Sequence, residues 1–215
     1  MNIFSTIITW YMDHMTYFTI AILMAIESTF IPLPSELVLP PAAWKAFQGD
    51  LNIGLIILSS SIGCVIGALI NYTLSFYLGR KIIYALAESK VAKLFFVTKA
   101  KVEHAEEYFR TNGNTSTFIG RLVPGIRHLI SIPAGLAKMN LKKFILFTLI
   151  GSALWNTILT FIGYFIAYSF PEIKNIEDIN EKVMEYSHEI SYITIGIGLI
   201  FVIYLLFKKK KNKKY

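Results

Sequence analysis

Three stretches of this chain, residues 51–79, 144–170 and 190–207, contain no Asp, Glu, Lys or Arg. A helix crosses the hydrocarbon core of a bilayer in about 20 mostly apolar residues, and buried helices of soluble proteins rarely run that far without a charge. The three stretches therefore read as transmembrane helices. Composition agrees: 54% of the chain is apolar and 16% charged, against about 45–50% and about 25% in soluble domains.

Several function classes drop out early. Cys64 is the single cysteine, so no intramolecular disulfide forms, and His14, His104, His128 and His188 are scattered without metal-ligand spacing. No metal and no cofactor is expected. The first basic residue is Lys45, so the positive start of a cleavable signal peptide is missing. The net charge of +7 does not make a nucleic-acid footprint, because residues 208–211, 213 and 214 are all lysine and directly follow an apolar stretch. They read as a cytoplasmic anchor under the positive-inside rule, with anionic lipid as the tail's further contact.

Placing that tail inside fixes the rest. The 190–207 helix then begins outside, after an acidic 171–189 loop carrying Glu172, Glu177, Asp178, Glu181, Glu185 and Glu189. The 144–170 helix runs outward from Lys138, Lys142 and Lys143. Residues 80–117, rich in Lys and Arg and amphipathic at Val91, Leu94, Phe95, Phe96, Val102, Tyr108 and Phe109, read as cytoplasmic surface helices. The apolar segment 118–137 thus has both flanks inside and must enter and return. Pro124-Gly125 break it midway and Arg127-His128 interrupt its apolar character. Irregular backbone at membrane depth is tolerated only where protein or a watery cavity surrounds it.

The front half has the same design. Residues 15–44 are apolar but broken by Pro32-Leu33-Pro34 and Pro40-Pro41, and they contain Glu27 and Glu36. Ala68-Leu69-Ile70-Asn71 resembles Ala153-Leu154-Trp155-Asn156, and Ser75-Phe76 matches Thr160-Phe161 at the same offset. Pro34 and Pro41-Ala42 parallel Pro124 and Pro133-Ala134. The expected fold is an all-α integral membrane protein: an inverted repeat of two opposed re-entrant hairpins (15–79 and 118–170), each with a following transmembrane helix, plus a C-terminal helix. Residues 1–14 form either an interfacial helix or the outer turn of a longer one.

Charges near the bilayer centre cost at least about 2.5–3.5 kcal/mol, so they face the protein interior and pair. The two broken segments supply two acids and two arginines, and contacts of Glu36 with Arg127 and of Glu27 with Arg121 are expected. The arginines also suit a phosphate, because a guanidinium binds two oxygens. A half-helix starting near Gly125 would add its amides and dipole, and His128 a titratable donor. Asn71, Asn156, Ser35 and Ser131 are expected to line the polar cavity. Burial raises a carboxylate pKa and a neighbouring arginine lowers it, so Glu27 and Glu36 are candidates for proton coupling. No HExxH pair or nucleophile–base arrangement is present, so an enzyme is not expected.

The chain resembles the DedA family, also called the SNARE-associated or VTT-domain family. The resemblance rests on Ile26-Glu27-Ser28 and Pro32-x-Pro34-Ser35-Glu36, then Phe118-x-Gly120-Arg121-x-x-Pro124-x-x-Arg127, Ala134-Gly135-x-x-x-Met139, Phe144 and Gly151-x-x-x-Trp155. It implies a bacterial cytoplasmic-membrane lipid transporter, with undecaprenyl phosphate or a phospholipid such as phosphatidylethanolamine as cargo and protons as a coupled species. It places the family's functional acids and arginines on Glu27, Glu36, Arg121 and Arg127. The second acid is often Asp after Gly, whereas here it is Glu36 after Ser35, and Pro40-Pro41 replaces a small, Gly-containing run. A phosphate-lipid translocase is the leading expectation. A phospholipid flippase or scramblase is the near alternative, and a proton-coupled ion or small-solute exchanger the alternative of another class. A homodimer is kept open.

Overall fold

Thr16 starts the first helix, α1 (Tyr17–Glu27), with a reciprocal cap: its hydroxyl accepts the Thr19 amide, and the Thr19 hydroxyl accepts the Thr16 amide at 2.8 Å. The computed structural model describes residues 10–11, 14–29, 35–88, 99–123 and 126–170, with the backbone alone for 80–88, 99–102 and 105. The expected 171–189 loop, the 190–207 helix, the basic tail, most of the N-terminal segment, Pro32, Pro34, Pro124 and Gly125 lie outside the described residues. At about 1.5 Å per residue, α1 covers about half of a hydrocarbon core of about 30 Å. It ends on Glu27, with the Ser28 amide donating to Met24 O at 3.1 Å.

A 3-10 turn at Ser35–Leu37 leads into α2 (Leu39–Phe47), whose first turn holds Pro40 and Pro41. Proline is favoured there because those amides have no helical acceptor. The long helix α3 (Ile53–Glu88) follows, capped by Asn52 Oδ1, which accepts from Gly54 and Leu55. It breaks at Gly79, with φ 60° and ψ −169°, a backbone region open almost only to glycine. The charge-free stretch ends on the same residue. Next come α4 (Lys99–Arg121), interrupted at Asn112, the short α5 (Ser131–Leu136), and α6 (Leu141–Ser169), capped by Asn140. The break at Asn112 falls before the boundary at 117–118 expected from charge, so the helical part after the break runs across that boundary to Arg121.

Among the described residues two helices, Ile53–Gly79 and Leu141–Ser169, are long and apolar enough to cross a membrane. Their faces are inside out relative to a soluble core. On α3, Leu55, Leu58, Ile62, Ile66, Ile70 and Leu74 are exposed, while Ser60, Ser61, Cys64, Ala68, Asn71 and Ser75 are buried. On α6, Leu146, Ile150, Leu154, Phe161 and Phe165 are exposed, while Thr148, Ser152, Asn156 and Thr160 are buried. Apolar residues facing out and small or polar residues facing in mark a helix pair solvated by lipid.

Glycine sets the closest approaches. A Cβ on Gly63 or Gly67 would overlap the carbonyl oxygens of Ala21 and Ala25, so α3 and α1 touch backbone to backbone. Gly163 admits Pro40 of α2, and Gly135 of α5 fits against the Tyr72 carbonyl of α3. The short helices thus cross over: α2 packs on α6, and α5 packs on α3.

Candidate functional site

The C-terminal end of a helix carries a partial negative charge, and Glu27 adds a full one at the end of α1. The turn 126–130 answers it with a cation. Arg127 Nη2 donates to Glu27 Oε1 and, at 2.7 Å, to Ser35 Oγ. Ser35 Oγ also accepts from Trp155 Nε1 at 3.4 Å, and the Trp155 ring lies 4.9 Å from the Arg127 guanidinium carbon. Four segments therefore meet at one ion pair: the end of α1, the 3-10 turn, the 126–130 turn and the middle of α6. Glu27 is 1% exposed and Arg127 8%, so the pair is removed from solvent.

The neighbours hold this centre in place. Ser28 Oγ donates to Glu27 Oε2 at 3.3 Å. Asn71 Nδ2 donates to the carbonyls of Ser28 at 3.2 Å and His128 at 3.3 Å, tying α3 to both broken segments. His128 Nδ1 stands 3.7 Å from Glu27 Oε1 and has no hydrogen bond. Arg121, at the end of α4, is also buried. Its Nη2 donates to Ser131 Oγ at 2.9 Å, and its Nε has no partner. Gly151 makes room for it, since a Cβ there would meet Arg121 Cβ at 2.7 Å. Among the described residues no carboxylate pairs with Arg121.

The pairing differs from the expected one. Glu27 binds Arg127, not Arg121: Asn71 of α3 holds the end of α1 and the 126–130 turn together, whereas Arg121 reaches Ser131. Glu36 is half-buried in the 3-10 turn and pairs with neither arginine. The expected half-helix near Gly125 also differs. Residues 126–130 are turns, α5 starts only at Ser131, and the amides of Ile126 and Arg127 both donate to Val123 O at 3.2 Å. The side chains, rather than a helix start, are what this turn offers an anion. Asn156 lies on the α3 contact instead, donating to Ser60 Oγ at 3.0 Å and Ser61 Oγ at 3.4 Å. With Thr148, Ser152 and Thr160 it forms a buried polar row whose Oγ and Oδ1 atoms lack partners.

Trp155 is the functional neighbour that charge reasoning did not single out. Its signal was an indole inside a charge-free helix, where the N–H must find an acceptor.

A VTT domain matches residues 33–165. The chain belongs to the VTT-domain family. Within that family it is 34% identical to the "Alkaline phosphatase-like protein" of Lactococcus lactis subsp. lactis, over 97% of this chain and 96% of the relative. It is 29% identical to the "Undecaprenyl phosphate transporter A" of Bacillus subtilis, over 81% of this chain and 83% of the relative. It is 25% identical to "Protein DedA" of Escherichia coli, over 65% of this chain and 61% of the relative. No solved structure matches. The relatives named as membrane proteins, together with the lipid-facing helices, make this chain a membrane protein of the VTT-domain family.

Proposed function

We propose that this chain carries a phosphate-bearing lipid across the bacterial cytoplasmic membrane, with undecaprenyl phosphate as the cargo and phosphatidylethanolamine the nearest alternative. The buried Glu27–Arg127 pair, together with a buried Arg121 that meets no carboxylate among the described residues, carries this reading. A lipid phosphate entering from the side of the bundle competes with Glu27 for Arg127, and Arg121 supplies the second cation. Each planar guanidinium can donate to two phosphate oxygens. A carboxylate left buried without its cation is costly, so Glu27 takes up a proton as the phosphate binds. Release of the phosphate on the other side returns Arg127 to Glu27 and expels the proton. Glu36, half-buried and unpaired with either arginine, is the second candidate for proton exchange. Ser35, Ser131, Asn71, Gly125 and His128 make up the remaining polar lining.

The fold reading that suits this cycle is an inverted repeat with two opposed re-entrant hairpins. The crossed packing of α2 on α6 and α5 on α3 supports it, since each broken segment then rests on the long helix of the other half. The C-terminus lies in the cytoplasm in this scheme, and the chain acts as a transporter rather than an enzyme.

The test is reconstitution in liposomes with labelled undecaprenyl phosphate, phosphatidylethanolamine, or neither, with and without a pH gradient. Wild type should move undecaprenyl phosphate faster than empty vesicles, respond to the gradient, and release no inorganic phosphate. Movement no faster than in empty vesicles would overturn the reading. Phosphate release would favour the activity suggested by the Lactococcus relative's name.

A further inference from the structure

Away from the central ion pair, two adjoining cavities open between α3, α4, the end of α5 and the start of α6. One measures about 650 Å³ and the other about 490 Å³, and both are bordered by Arg110, Ala137 and Lys138. The larger has Phe76, Leu78 and Leu136 in its wall, with Glu106 beside them. The smaller is lined by Asn112, Asn114, Asn140 and Lys143. The combined trough is thus apolar at one end, amide-rich at the other, and cationic where the two meet. Its polar end reaches Lys143, one residue before the charge-free stretch of α6 begins, which puts the trough at a membrane interface.

The wall of the trough is built around Lys138. This residue has φ 50°, a left-handed conformation that helix ends usually assign to glycine. The local hydrogen bonds explain the geometry: the Lys138 amide donates to Gly135 O and the Met139 amide to Ala134 O, both at 3.0 Å. That is the Schellman closure of α5, in which a side chain at this position is disfavoured. The backbone requirement alone would select glycine, and the chain instead keeps a long cation there, 5.8 Å over the Phe76 ring. Its neighbour Met139 is fixed on three sides. Its carbonyl accepts from Tyr72 Oη at 2.5 Å, its sulfur accepts from Thr117 Oγ1 at 3.4 Å, and Gly113 leaves space for that sulfur. The trough is therefore preformed. Arg110 is held at its mouth by Glu107 at 3.5 Å, an exposed pair that an incoming anion can replace.

We infer that this trough is a second lipid site, which binds a phosphate headgroup on Arg110, Lys138 and Lys143 and lays the first part of the lipid chain along Phe76, Leu78 and Leu136. It rests on the reading of the cargo as a phosphate-bearing lipid, and serves as the station where that lipid docks before or after the central site. A free phosphate would use the cations but gain nothing from the apolar end.

Photo-crosslinking of the full-length protein in detergent, with an alkyl phosphate carrying a diazirine near its headgroup, tests this. Label should fall on peptides spanning 109–115 and 136–143 in wild type and equally in Arg127→Ala, which separates the trough from the central site. The double variant Lys138→Gly, Arg110→Gln should lose about tenfold in labelling, the scale of one charged hydrogen bond. Lys138→Gly alone should keep or raise the melting temperature, since glycine suits the backbone, so loss of label in that variant is not loss of fold. Unlabelled alkyl phosphate should displace the label, and inorganic phosphate at the same concentration should not. Absence of label from these peptides in wild type, labelling unchanged in the double variant, or equal displacement by inorganic phosphate would overturn the assignment. Failure of the translocation reading would show separately, as transport unaffected by Arg127→Ala while the trough still labels.

Discussion

Arg127 is the residue on which most contacts of the site converge. It binds Glu27 and Ser35 and lies over Trp155. Removing one partner of a buried ion pair leaves an uncompensated charge and typically costs about 3–5 kcal/mol. Arg127→Ala should therefore lower the thermal stability in detergent by that order and abolish transport. Removing both charges in Glu27→Gln, Arg127→Gln should recover much of the stability and none of the transport, which a double-mutant cycle of melts and flux measures. Arg127→Lys keeps the charge but loses the planar fork and the stack on Trp155, so it should fold and transport poorly. The burial of Glu27, Arg121 and Arg127 was legible in the sequence because a charge in a broken apolar segment is expensive and hence conspicuous. Their pairing was not, because it depends on how two segments 100 residues apart meet in the fold.

At the scale of elements, the glycines of α3 and α6 set the geometry that brings the charges together. Gly67→Val would drive a side chain into the Ala25 carbonyl, two residues before Glu27. Overpacking of this kind costs about 1–3 kcal/mol, and here it should also displace Glu27 and reduce transport in protein that still folds. Gly79→Ala gives a contrasting case. Nothing lies within 4 Å of the added Cβ, so any loss, of about 1–3 kcal/mol, comes from the backbone alone. Thermal melts of the two variants, read beside flux, should show loss of both properties in the first and chiefly of stability in the second. The long helices were plain from their missing charges, and the break at Gly79 coincided with the return of charge at Arg80. The start of α5 at Ser131 was not readable, because a run of turns with helical hydrogen bonds leaves no capping signature in the sequence.

For the molecule as a whole, the two lipid-facing helices form a scaffold that turns small and polar residues inward. The broken segments bring Glu27 and Arg127 together at its centre, and the trough at Arg110 and Lys138 lies at its edge. The all-helical membrane character follows from composition and periodicity alone. The crossed packing of short on long helices required the fold, since no local sequence states which long helix a short one will meet. The central claim is that a lipid phosphate takes Arg127 from Glu27 and that Glu27 gains a proton in exchange. Difference infrared spectroscopy of the reconstituted protein reads that exchange directly. Adding undecaprenyl phosphate should produce a protonated-carboxyl band in wild type that is missing in Glu27→Gln and does not change on addition in Arg127→Ala. A wild-type spectrum without that band while the lipid is bound, or the same band in Glu27→Gln, would contradict it.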